Sequence, residues 1–204
     1  MDASQLKLQD LPPGWYAGLG TTTEVAQLLT ATCSGLDMAS VTTTARPTAS
    51  SASSFEIDGA ASASDVGPRD QVGIWVVSYA TEADALVAAA GETGASASCW
   101  PADLPGGIVR LRVDQTSAQE IDGAKAIAGF DIKSGTGDDR QLAAGYSTIH
   151  IVDRIVVITG SLAMVGGDED PASALERARV NHAAVLQTGI AKIQNTMKAQ
   201  TPSS

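Results

Sequence analysis

A chain of 204 residues with 13 basic and 23 acidic side chains, net charge -10, is one domain, long enough to bury roughly 70% of its extended surface without help from a metal. The acidic balance repels phosphate backbones and anionic headgroups, which argues against nucleic acid as a partner. Aromatic residues are only 4% of the chain, so the core volume must come from Val, Ile and Leu.

No apolar run reaches the ~20 residues that span a bilayer, and residues 1–20 carry neither a basic nor an apolar leader region. As given, the chain reads as soluble, with membrane attachment only through an anchor missing from its N-terminus. A polar start fits a cytosolic protein and equally one cut behind a signal peptide, and the residues leave both open.

Residues 2–10 read as a short helical lead-in, stopped by Pro12-Pro13-Gly14. Trp15 then needs apolar cover and is expected to pack in the core. Thr21 with Glu24 forms a capping box, and Val25, Leu28, Leu29 and Thr32 follow at helical spacing, which predicts a helix over 22–33 delivering Cys33. Over 38–67, Ser, Thr and Ala dominate, with weak alternation near Val41 and over 53–57. This allows two edge strands or an irregular segment, and Pro47 and Pro68 argue against a central strand. Residues 58–70 read as a mobile loop.

In 72–80, Val72, Ile74 and Val76 lie on one side and Trp75, Val77 and Tyr79 on the other, which predicts a strand in mid-sheet covered on both faces. Thr81 with Asp84 caps an Ala-rich helix, weakened at Gly91 and Gly94, that ends near Cys99. After a Pro- and Gly-rich turn come four strand-like runs, 108–115, 124–133, 141–152 and 154–163. Their close spacing favours antiparallel pairing, and Asp153-Arg154 is a two-residue hairpin turn without the usual Gly. Asp170 as N-cap and Pro171 at the first helical position open a helix of about 28 residues. Its apolar stripe is Leu175, Ala178, His182, Leu186, Ile190, Ile193 and Met197, and Pro202 ends it. The order of elements predicts an α+β fold: an antiparallel sheet sandwiched by helices, with a long C-terminal helix.

The residues assign no catalytic group, cofactor or metal. Ile149 stands where a GxSxG elbow begun at Gly145 needs its last Gly. Asp168, Glu169 and Asp170 lack calcium-loop spacing, and a helix N-terminus accounts for them. His182 lies on the apolar stripe and is expected to be packed. Cys33 and Cys99 read either as two separate buried thiols or as one disulfide closing a loop of about 66 residues. For a ligand, Arg110 and Arg112 share one face of their strand, and Thr148 and His150 share one face of theirs. With Trp75 or Tyr79 as apolar wall, these residues predict a cleft for an amphipathic or anionic small molecule, gripped by the two arginines.

Leu11-Pro12-Pro13-Gly14-Trp15, a Cys after the first predicted helix, Val76-x-x-Tyr79 before the Thr81-Glu82-Ala83-Asp84-Ala85-Leu86 helix start, Cys99 at that helix's end, a strand meander and a long last helix form a recognisable series. Over 8–198 it resembles the extracellular sensor domain of mycobacterial PknH-type serine/threonine kinases and related secreted actinobacterial lipoproteins. The resemblance implies a PsbP-like α/β sandwich, a cell-envelope location outside the cytoplasm, a Cys33–Cys99 disulfide and a ligand cleft. The kinase members carry two disulfides and this chain can form only one, so a stand-alone lipoprotein or secreted relative fits better than a kinase ectodomain. The function expected is a non-catalytic envelope domain that binds a small ligand or an envelope protein. The alternatives are an envelope hydrolase with its site near His150 and a cytosolic protein–protein adaptor.

Overall fold

The computed structural model describes residues 5–18, 45–58, 70–98, 102–103, 109–136, 141–166 and 168–200. The predicted helix over 22–33, Val41, Pro68, both cysteines, the turn at Pro101 and Pro105, and Pro202 lie outside the described residues.

Among the described residues the chain forms eight strands: β1 (Trp15–Ala17), β2 (Ala49–Ile57), β3 (Asp70–Ser78), β4 (Ala102–Asp103), β5 (Val109–Thr116), β6 (Lys125–Thr136), β7 (Gln141–Val152) and β8 (Ile155–Met164). They form one antiparallel sheet in the order β1-β2-β3-β8-β7-β6-β5-β4. Helices α1 (Glu82–Ser98) and α2 (Pro171–Gln200) cover its two faces. This is the expected α+β sandwich.

Particular elements differ from expectation. The Ser- and Ala-rich run is a regular nine-residue strand, β2, second from the sheet edge; Pro47 precedes it and so removes no ladder donor. Of the expected mobile loop, residues 59–69 lie outside the described residues, and its last residue, Asp70, instead opens β3 and is fully buried. Within the described part of the expected helical lead-in, residues 5–10, the chain forms a 3-10 turn, Leu8–Asp10. The helix caps are as the sequence predicts. Asp84 N–H donates to Thr81 Oγ1 at 3.1 Å and Ala172 N–H to Asp170 Oδ1 at 3.2 Å. Helix α1 continues through Gly91 and Gly94 to Ser98.

The strands' two faces hold separate cores. Val72, Ile74, Val76, Val152 and Val157 meet Val185, Leu186, Ile190 and Ile193 of α2, with Leu6, Leu11, Trp15 and Phe55 closing the edge. Trp15 is thus a core residue. A Cβ on Gly189 would overlap Ile74 Cδ1, so this Gly sets how closely α2 lies on β3. On the other face, Ala128, Phe130, Ile149, Ile151 and Val156 meet Ala85, Ala88 and Ala89 of α1. Small residues again, Ala144 and Ala163 against Ala174 and Ala178, bring the first turns of α2 close to β7 and β8.

That close approach buries a charge. Asp70 is 0% exposed. Its Oδ2 accepts from Arg177 Nε at 2.6 Å and Asn181 Nδ2 at 3.2 Å, and its Oδ1 accepts from Met164 N–H at 3.2 Å. Arg177 also donates to Met164 O at 2.7 Å and pairs with Glu169, which itself accepts from Gly166 N–H at 3.0 Å. The start of β3, the end of β8 and the first turns of α2 are thereby tied at one point. Removing the carboxylate leaves Arg177 partly buried without its main partner, so Asp70→Ala is expected to cost about 3 kcal/mol. Urea unfolding at neutral pH measures it, and Asp70→Asn, which keeps acceptor capacity, should cost less.

Candidate functional site

A polar layer runs between the sheet and the middle of α2. Thr148 and His150 on β7, Thr159 and Ser161 on β8, and Asn181 and His182 on α2 are all buried there. His182 Nε2 is bonded to Thr148 Oγ1 at 2.9 Å, and its ring stands edge-on to Tyr146 with centroids 4.8 Å apart. Arg179 lies over the same Tyr146 ring, 5.3 Å from the centroid, and donates to both carboxylate oxygens of Asp131 at 2.9 Å. The Tyr146 hydroxyl donates to Ser117 O at 2.9 Å, and His150 Nε2 donates to Gln119 O at 2.7 Å. The loop that supplies these carbonyls crosses Gly129, where a Cβ would strike the backbone of Ser117 and Ala118.

Burial is the main cause that lowers the pKa of both histidines, taking His182 from 6.5 to about 3 with His150 adding to the effect. Both rings are neutral at pH 7. Thr148 and His182 stand at nucleophile–base distance, but each is 0% exposed. Among the described residues His182 Nδ1 is bonded to no carboxylate of the kind that orients a catalytic base. A hydrolase centred on His150 requires an accessible Ser or Asp bonded to that ring. The described bond runs instead to a backbone carbonyl, and the ring is 0% exposed. His182 is packed, as its place on the stripe predicts. Ser147 is a strand residue whose hydroxyl donates to Thr159 O at 3.1 Å.

The five residues expected to form a ligand cleft are not brought together. Arg112 is exposed and paired with Asp114 at 3.6 Å, while His150 on the same sheet side is sealed under the 117–120 loop. Arg110 stands opposite Gly135 on β5, with β6 between it and β7. Trp75 pairs with Ile158, which pairs with Ile149, and this register places Trp75 on the face opposite His150. Tyr79 packs on that opposite side, against the α1 core.

Tyr79 nevertheless lines a cleft, at the end of the sheet where β2 begins, β3 ends and β7 turns into β8. It encloses 860 Å³. Ile155, Ile193 and Met197 give it an aliphatic floor, and Asp153, Arg154, Lys198 and Tyr79 give it a polar rim. Burial, then the nearby charge of Glu92, raises the Tyr79 pKa, so the phenol keeps its proton at neutral pH. Tyr79 N–H donates to Arg154 O at 2.9 Å, which fixes the hairpin over the strand end. Asp153 holds the turn at φ 53, the left-handed region that Asp tolerates better than most residues. The side chains of Arg154 and Lys198 make no hydrogen bond or ion pair among the described residues. A second, more open groove of 960 Å³ lies along α2 beside the 2.5 Å Lys192–Asp10 ion pair. Sequence reasoning took Arg154 as a turn residue only, and Lys198 carried no signal beyond a cation in the last helical turn.

No protein-family profile and no curated protein matches the chain. Among solved structures, the chain is similar to an uncharacterized protein from Mycobacterium smegmatis, the Rv0999 ortholog. Identity is 17%, the match covers 89% of this chain and 77% of that one, and the TM-score is 0.36. It is also similar to the extracellular domain of PknH from Mycobacterium tuberculosis, at 10% identity over 81% of this chain and 77% of that one, with a TM-score of 0.33.

The polar layer makes stability depend on pH with a definite sign. His182 has its usual value of 6.5 when unfolded and about 3 when folded, so the unfolded chain gains a proton first as pH falls. Its contribution is complete above 6.5 and is lost progressively toward 3. Between pH 7 and 4.5 the wild type should lose about 2 kcal/mol more than His182→Leu, read from urea unfolding at the two pH values.

Proposed function

We propose that this chain is a non-catalytic, extracytoplasmic domain that binds a small ligand in the sheet-end cleft. The cleft is the observation that carries this reading, since its aliphatic floor sits beside two cations that no described side chain neutralises. The interior acid, base and hydroxyl groups support it from the other side. Asp70, Glu169, Arg177, Asp131, Arg179, Thr148 and both histidines are committed to holding α2 and the 117–120 loop on the sheet. Among the described residues no helix is long and apolar enough to cross a membrane. The envelope location follows the sequence resemblance, and with it goes a Cys33–Cys99 disulfide.

Protein purified from its own host without denaturant is expected to show, by native mass spectrometry, an added mass that disappears on unfolding. Protein that carries no added mass, and gains none from a host-cell extract, would remove the binding reading. The location has its own check. Intact mass after alkylation without reductant should show no thiol modified, and two modified thiols in protein folded under oxidising conditions would count against the envelope.

A further inference from the structure

Resting on the binding reading above, we infer that the sheet-end cleft takes an acylated glycerol phosphate. The phosphate lies on Arg154 and Lys198, the glycerol hydroxyls donate to Asp153, and the acyl chain covers Ile155 and Met197.

The argument begins with charge. On a chain of net -10, most cations near the sheet and α2 are matched: Lys192 by Asp10, Arg177 by Asp70 and Glu169, Arg179 by Asp131, and Arg112 and Lys133 by Asp114. Arg154 and Lys198 stand unmatched in the lining of one cleft, the first on the β7–β8 turn and the second on the last turn of α2. A guanidinium fork and a lysine ammonium lining the same cleft suit a phosphate.

The rest of the rim restricts what else the headgroup carries. Asp153 is exposed beside Arg154, and the C-terminal end of α2, with its negative dipole, borders the same cleft. Both repel a bare anion and both accept hydrogen bonds. A headgroup with hydroxyl donors next to its phosphate satisfies them, whereas a quaternary ammonium, though attracted by Asp153, has no hydrogen to donate and brings a further cation beside Arg154 and Lys198. The floor decides between a free sugar phosphate and a lipid. Ile155 and Met197 are partly buried side chains on the edge of the α2 core that still face the cleft. Apolar area of this kind is covered favourably by a hydrocarbon chain and left wet by glycerol phosphate alone.

Isothermal titration with short-chain lysophosphatidylglycerol, kept below its micelle concentration, tests the assignment. The wild type should bind it one to one and about tenfold more tightly than lysophosphatidylcholine of the same chain length, with free glycerol phosphate weaker still. The double variant Arg154→Glu, Lys198→Glu should lose about tenfold or more of that affinity with an unchanged melting temperature, because both side chains are exposed and unpaired. Ile155→Ser should weaken the lipid and leave glycerol phosphate unaffected. Equal affinity for the choline lipid would overturn the headgroup assignment. Glycerol phosphate binding as tightly as the lipid would overturn the acyl chain, and undiminished binding by the double variant would overturn the location. If the wild type ignores every probe but carries another small molecule from its host, the ligand class falls and the binding-domain reading stands. If it ignores every probe and carries nothing, both fall.

Discussion

A carboxylate with no solvent contact has to be met by donors on every side, and Asp70 is met by three elements at once. Arg177 and Asn181 reach it from α2, and the backbone of Met164 reaches it from the end of β8. The arrangement fixes the rotation of α2, because Arg177 and Asn181 are four residues apart and share one helical face. It also fixes the register between β3 and β8, since Asp70 must lie opposite the end of that strand. A one-residue slip would turn Val72, Ile74 and Val76 away from α2 together with Asp70. A buried ion pair of this kind contributes less to net stability than its geometry suggests, but its partners cannot be separated cheaply. Its effect here is on uniqueness: it makes one placement of a long, Ala-rich helix much better than its neighbours.

The same helix shows why the histidines belong to the structure. An apolar stripe alone lets a helix slide by a turn on a flat sheet, particularly where the contact is Ala on Ala. His182 on Thr148, edge-on to Tyr146, and Arg179 over Tyr146 and onto Asp131 add directional contacts on the same turns, Arg179 between the two clamp residues and His182 directly after them. These contacts use the groups a catalytic reading would need. A ring that is neutral, 0% exposed and bonded to a buried hydroxyl is well placed to specify packing and poorly placed to meet a substrate.

How much of this was legible in the sequence depends on the range of the interaction that decides each feature. Strands β5 to β8 were readable within a few residues at their ends because alternation and turn residues are local signals, as were Asp170 and Thr81 as helix caps. Asp70 was unreadable. Preceded by Gly67-Pro68-Arg69, it looks like the last residue of a loop, and its burial is decided by an arginine 107 residues later. The ligand site failed for a related reason. Parity within each strand was right: Thr148 and His150 do share a face. Parity between strands depends on pairing, and β8, the last strand in sequence, inserts beside β3 and sets Trp75 against His150 across the sheet. The histidine's burial follows from a loop that Gly129 allows to lie flat, and nothing near His150 signals it.

From this distribution of contacts follows where the molecule has freedom to act. The first half of α2 is held by the Asp70 clamp, the Ala-on-Ala packing and the polar layer. Beyond Ile193 its side chains are exposed or only half buried. Local opening is drawn from regions with few buried apolar contacts, so the last turns of α2 are the softest part of an otherwise fixed helix. Those turns form a wall of the sheet-end cleft and border the second groove as well. A ligand bridging Arg154 on the β7–β8 hairpin and Lys198 on α2 would tie the last turns of the helix to the hairpin at this end of the sheet. Its binding energy would then act on the less buried end of the helix while the clamp keeps the rest in place.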